Sequence, residues 1–355
     1  MGLTETISDM ANFRPMVSVV VNGQDMTGAF MPRLISISLT DTAGIQADKA
    51  EIVLADHIPM MPIALPKTGA EIEIALGYQF VSKVVGLYVV DEVEVSGPPG
   101  QVRITAFASG FGASDGGKTA INEPKTRSWP EGTSVSALVA KISKAAGYKA
   151  AVSAEASKVT LAHLDQIAES DMNLLSRVAR ENGLIFKPGG GALVVVTPGE
   201  STSVDGTPLP VVELTPAQVT RWRFAVNRRE ATDQVVTTYR DLNGAATVDV
   251  AVDAPAGAAD QTLAGQPKTR RLKRTYASEA AARRAAKAEA DRAYRQSRRL
   301  TLDLPGRPDL TAEARLQLIG WRPGVPTEWL ITSVRHDVGA GGWRSSVEAE
   351  LPPPT

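Results

Sequence analysis

The sequence has no cysteine among its 355 residues. That absence removes disulfides, thiolate nucleophiles and zinc–sulfur sites together, and it fits folding in a reducing compartment. Histidine is scarce: His57, His163 and His336 lie far apart without metal-ligand spacing. Each is expected to be a solvated or hydrogen-bonded structural residue. Long apolar runs are missing too, since no segment offers the roughly 20 apolar residues that a membrane helix needs. The opening MGLTETISDM has neither a basic cluster nor an apolar stretch, so a soluble chain without a cleaved leader or membrane insertion is expected. Charge of one sign does not dominate either, with 38 Lys and Arg against 39 Asp and Glu.

What the chain does have is length, and at roughly 100 to 200 residues per domain it should form two to four domains. Residues 13–110 read as short strands. Val17, Val19 and Val21 alternate up to Asn22-Gly23, a pair suited to tight hairpin turns. Alternation recurs at Ile35, Ile37 and Leu39, at Ala50, Ile52 and Leu54, at Ile72, Ile74 and Leu76, at Val93 and Val95, and at Val102 and Ile104. Such spacing suits a barrel or sandwich. From Thr133 the period becomes helical: Val135, Leu138, Val139 and Ile142 share a face, with Thr133 or Ser134 as cap and Gly147 as stop.

A second helix follows Ser170 or Asp171, buries Leu174, Leu175 and Val178, and stops at Gly183. Leu184–Lys187 and Ala192–Thr197 then read as a hairpin around Pro188 to Gly191. Residues 197–210, rich in Pro, Gly, Ser and Thr, form the expected linker. Beyond it, Arg221–Asn227 and Gln234–Arg240 resemble paired strands, and 257–266 reads as a loop. Ser278 caps an alanine-rich helix to about Gln296, and Leu300, Leu302 and Leu304 alternate as a strand. No clean internal repeat relates the two β-rich ends.

Several patterns suggest chemistry, and each has a plainer explanation. Gly112-Ala-Ser-Asp-Gly-Gly-Lys118-Thr119 has the letters of a phosphate-binding loop, and Leu87 to Glu92 could imitate its partner strand. A phosphate loop must open a helix. Here Pro124 and Pro130 follow instead, so a glycine-rich connection is expected, and a P-loop nucleotide hydrolase is only the alternative. Residues 268–299 hold twelve Lys or Arg and three Asp or Glu, which raises a basic nucleic-acid-binding module as a second alternative. Those cations are interleaved with alanine rather than with aromatics, which favours a solvated face or a docking surface without sequence-specific reading. Glu169 and Asp171 are expected to serve the helix dipole, so that Glu169→Gln or Asp171→Asn costs about 1 kcal/mol. The glycine run at 189–191 is a hairpin turn. No residue is assigned a catalytic, cofactor-binding or metal-binding role.

Taken in order, Gln166, Glu169-Ser170-Asp171, Leu175, Arg177 and Gly183 closely resemble the phage late control D and VgrG family. Trp329 to Val338 followed by Trp343 to Leu351 resembles that family's closing hairpin. Ser128-Trp129, Thr133-Ser134-Val135 and Gly147-Tyr148 are a third match. The resemblance implies an α+β tail-hub architecture: a β-barrel-like domain at 13–110, a small α/β domain at 111–200, and a second β-barrel-like domain at 201–355 carrying an inserted basic helix. It also implies a structural, non-enzymatic baseplate hub without cofactor, assembled in the host cytoplasm and resident in the tail of a contractile phage or related injection machine. The implied partners are two further copies in a homotrimer, a hexameric tail tube, a trimeric spike supplied by another polypeptide, and possible contacts with other baseplate proteins and the tape measure.

Overall fold

The computed structural model describes residues 15–44, 48–56, 58, 61–78, 81–108, 121–189, 191–201, 207–227, 232–241, 244–255 and 268–354. The phosphate-loop-like segment, His57 and the loop at 257–266 lie outside the described residues. Seven strands come first: β1 (Met16–Val21), β2 (Gln24–Asp25), β3 (Leu34–Thr42), β4 (Lys49–Ala55), β5 (Glu71–Tyr78), β6 (Val81–Ser96) and β7 (Gln101–Phe107). Alternation produces them, because every second side chain points to one face. Val17, Val19, Ile37, Leu39, Ile52, Leu54, Ile72, Ile74, Leu76, Val102 and Ile104 thereby meet in one core. Asn22 and Gly23 both take positive φ, as the tight β1–β2 turn requires.

Two positions expected to face inward do not. The register slips between Leu34 and Ser36, and this bulge leaves Ile35 exposed. Val95 is exposed because β6 outruns its neighbour: β5 pairs with Val81–Val89, and Asp91–Ser96 continues against β7 alone.

The middle of the chain builds a separate core. It contains β8 (Pro124–Trp129), helix α1 (Val135–Ala146), β9 (Lys149–Val152), β10 (Leu164–Ser170), helix α2 (Asp171–Glu181), β11 (Ile185–Gly189) and β12 (Ala192–Val196). Ser134 caps α1 and Gly147 ends it in the left-handed conformation. The faces read from the sequence are the buried ones, with Leu138, Val139, Ile142, Leu174, Leu175 and Val178 all in the cluster. The hairpin turn is tighter than expected: Pro188 pairs with Leu193 inside the ladder, and Gly189 with Ala192. In addition β12 pairs in parallel with β9, which ties the hairpin to α1.

The last part contains β13 (Val212–Leu214), β14 (Arg221–Val226), β15 (Gln234–Asp241), β16 (Ala246–Asp253), β17 (Thr269–Tyr276), helix α3 (Glu279–Gln296), β18 (Arg298–Pro305), β19 (Arg315–Leu318), β20 (Glu328–Gly339) and β21 (Gly342–Glu350). Contrary to the sequence expectation, Arg221–Val226 does not pair with the strand at 234. It pairs with β18, some 75 residues later, while β15 joins β16 and β17 in a sheet of its own that α3 covers. Local patterns specify a strand but not a distant partner. The expected closing hairpin is present as β20 and β21, and Leu300, Leu302 and Leu304 are buried against it.

One hydrogen-bonded path joins the two ends of the chain. Its order is β14-β18-β21-β20-β3-β4-β7-β6-β5-β1-β2, with β19 beside β20 and β13 beside β19, giving thirteen strands. Almost every pairing is antiparallel. The seam is β3 against β20, from Ser36 opposite Gly339 to Thr42 opposite Ser333. Neither β unit is closed into a barrel by ladder bonds among the described residues.

Candidate functional site

The signature residues at 166–183 form a charge network that shapes the entrance to α2. Ser170 Oγ accepts from Asn173 N at 3.2 Å, so it is the cap. Asp171 does more than face the helix dipole, which corrects the sequence expectation. Its carboxylate is fully buried, accepts from Lys125 Nζ at 2.7 Å and Gln166 Nε2 at 2.9 Å, and pairs with Arg127. Arg127 Nε also donates to Gln166 Oε1 at 2.8 Å, and its guanidinium lies over the Trp129 ring with Lys141. Burial of such a carboxylate is tolerated only because its oxygens are paired. Glu169 points elsewhere, to Arg177 Nε and Nη2 at 3.0 and 2.6 Å. Between these two clamps the β10 strand bulges. Ala168 takes φ +46° and Ile167 is 73% exposed.

A second, partly buried network joins three parts of the chain, and sequence reasoning missed it. Lys187 Nζ, on β11, donates to Asp41 at 2.7 Å and pairs with Asp48 at 2.8 Å. Asp41 Oδ2, on β3, also accepts from Thr311 Oγ1 and Ala312 N, each at 2.8 Å. Burial works against ionising Asp41, but Lys187 and these donors outweigh it and hold the carboxyl below its ordinary range. Asp48, with fewer donors, is pushed up to about 6 by burial and by the Asp41 charge. Burial would lower Lys187, yet its two carboxylate partners raise it. A signal was present in the sequence: Asp41 follows Ile37 and Leu39 in their inward phase, where a carboxylate demands a partner.

Nearby, burial and the Glu350 charge push Glu313 up to about 7. Its backbone holds φ +66°, and its carbonyl accepts from Ser201 Oγ at 2.8 Å, which anchors the first part of the linker. Of the histidines, His163 is exposed 3.1 Å from Asp165, whereas His336 is buried 2.8 Å from Ser345 Oγ and pushed down to about 4 by burial. Among the described residues, no group of three or more His, Asp or Glu is arranged to hold a metal. No helix of the described residues is long and apolar enough to cross a membrane.

The basic stretch is largely paired internally. Arg270 meets Glu289 at 2.6 Å, Arg271 meets Asp249 at 2.7 Å, Arg283 meets Glu279 and Lys287 meets Asp291 at 2.9 Å, and Arg295 meets Glu350 at 2.8 Å. Arg274 pairs with Glu181, and Arg292 with Glu289. The strand from Leu87 to Glu92 is part of β6, with Tyr88 and Val90 in the core. What the arrangement offers is two internal charge networks, one within the middle unit and one tying β11 to the long sheet at Asp41, suited to holding parts in fixed relation.

Comparison with known proteins gives the same direction. A family profile described as phage tail baseplate hub (GPD) matches residues 125–342. The probable baseplate hub protein of Escherichia phage 186 is 28% identical over 381 aligned residues, covering 98% of this chain and 95% of that protein. Its counterpart from Escherichia phage P2 is 27% identical over 369, covering 95% and 93%. Among solved structures, a tail protein from Neisseria meningitidis MC58 superposes with a TM-score of 0.69 at 14% identity, over 95% of this chain and 96% of that one. A type VI secretion component of E. coli, c3393, superposes with a TM-score of 0.52 at 11% identity, over 90% and 73%. With more than half of its length inside the family profile, the chain belongs to the phage tail baseplate hub family.

Proposed function

We propose that this hub joins a hexameric tail tube to a trimeric spike as a homotrimer, by symmetry matching and transmission of force. Its place is the tail baseplate, and the role needs no bond-making step. The observation that carries the reading is the uninterrupted sheet: both β units lie in one thirteen-strand sheet, with the β3–β20 seam beside the Asp41–Lys187 node. A load applied to one unit then reaches the other through ladder bonds in parallel rather than through a flexible connection. We carry the division into 13–110, 111–200 and 201–355 as part of this proposal. Three large buried clusters follow it, except that Val338 and Trp343 from the last segment complete the first core. In this reading two barrel-like units per copy give a threefold ring six similar surfaces for the tube.

Mixing the purified chain with its own tail tube and spike proteins tests the joining role. A ternary complex in which the hub binds both is expected. A hub that binds only one of them, or neither, contradicts the role.

A further inference from the structure

Two strand edges of opposite charge lack a ladder partner among the described residues. The first is β14, Arg221-Trp-Arg-Phe-Ala-Val226, at the end of the hydrogen-bonded path with β18 on one side only. Trp222 and Phe224 turn toward the core, against Trp321 and Trp329 at centroid distances of 5.3 and 5.9 Å. Arg221 and Arg223 alternate to the opposite face, exposed and without an ion pair among the described residues. Trp222 and Val226 remain 40% and 51% exposed.

The second edge is the end of β6, Asp91-Glu-Val-Glu-Val-Ser96. These six residues lie beyond the last β5 pairing, at Val89, and among the described residues their ladder partner is β7 alone. Asp91 and Glu92 are exposed without an ion pair among the described residues, Glu94 has only Arg103 at 3.6 Å, and Val95 is exposed. The surrounding units carry the same contrast. Residues 13–110 hold six Lys or Arg and ten Asp or Glu, whereas 201–355 hold 22 and 18.

We infer that these edges are the two halves of one contact between copies of this chain, in which β14 of one copy adds to the Asp91–Ser96 edge of the next. The inference rests on the ring reading above and names the surface that closes it. Both edges are six residues long, both present backbone groups without a ladder partner among the described residues, and cross-strand pairs of opposite charge favour their union. Because the two edges are different surfaces of one chain, their contact is head to tail. Repetition by rotation closes it into a ring. Charges on exposed edges also deter unwanted pairing in many proteins. Here the charges have opposite signs and are accompanied by an exposed tryptophan and valines, which suits an interface with aromatic and arginine anchors.

The test is the mass in solution of the full-length protein and of three variants, Arg221→Glu/Arg223→Glu, Asp91→Arg/Glu92→Arg, and the combination of all four. Circular dichroism and thermal unfolding check that each variant is folded. Wild type should have the mass of three copies, each single-edge variant should weaken assembly by more than about tenfold, and the combined variant should restore it, because like charges facing one another are strongly unfavourable. High salt should weaken wild-type assembly as the charges are screened. Three copies that persist in both single-edge variants would overturn the edge contact and leave the ring. A different closed number abolished by the same variants would overturn the threefold reading and leave the contact. A monomer at all concentrations tested would overturn both.

Discussion

Asp171 sits one residue inside a helix that Ser170 already caps, so its carboxylate is free for another task, and the structure turns it onto Lys125, Arg127 and Gln166. Removing its charge leaves two cations, each about a quarter exposed, without their counter-ion. Asp171→Asn should therefore cost about 3 kcal/mol. That is in the range of about 2 to 5 kcal/mol for Leu175→Ala, and well above the roughly 1 kcal/mol for Glu169→Gln at a more exposed pair. Urea unfolding of the three variants checks this ranking, and an Asp171→Asn cost equal to that of Glu169→Gln would contradict it. Lys187 makes a pH-dependent prediction. Asp48 has its carboxyl raised to about 6 in the fold from the ordinary 3.8, so its contribution to stability is complete below 3.8 and is lost as pH rises through 6. Lys187→Met deprives both carboxylates of their cation and strengthens this trend. The variant should lose about 3 to 5 kcal/mol at pH 7.5 and clearly less at pH 5, where one carboxyl takes up a proton. A loss that grows toward acid pH would refute the assignment of charges.

Elements were readable wherever period and punctuation agreed. The run Val135 to Ile142, capped by Ser134 and ended by Gly147, is the helix its pattern describes. The β20–β21 hairpin and the alanine-rich helix after Ser278 also follow their patterns. What failed was information that no short window carries. The bulge at Ile35 changes the phase of β3 without an insertion visible in the letters, and the partner of β14 lies beyond a whole inserted sheet and helix. The charge networks failed for the same reason: Lys125 and Arg127 are more than forty residues from Asp171, and Asp41 and Lys187 are 146 apart. Gly183 shows how a local reading can be right and incomplete. It ends α2 at φ +69°, as expected, but a Cβ there would also lie 3.3 Å from Ala288 on α3. Gly183→Ala should combine backbone strain with that close approach and cost about 1 to 2 kcal/mol. Gly147→Ala, at φ +74° with open space around it, should cost only the backbone part. Equal losses in thermal unfolding would show that the α2–α3 contact does not restrict the site.

Across the whole molecule, the two β-rich ends share a ladder, and Lys187 is one of the residues that tie the middle α/β core to it. The thirteen-strand sheet is what the proposed transmission of load between tube and spike rests on. Balanced overall charge hides an acidic first unit and a basic last one, a contrast that composition alone conceals and that matters once copies meet. Symmetry-averaged imaging of intact tail tips decides whether this chain forms the proposed threefold ring between tube and spike. Three copies in one ring are expected, each placing two β units toward the tube, with the spike on the opposite side. A ring of six or two copies, or this chain located away from the tube–spike junction, would contradict it.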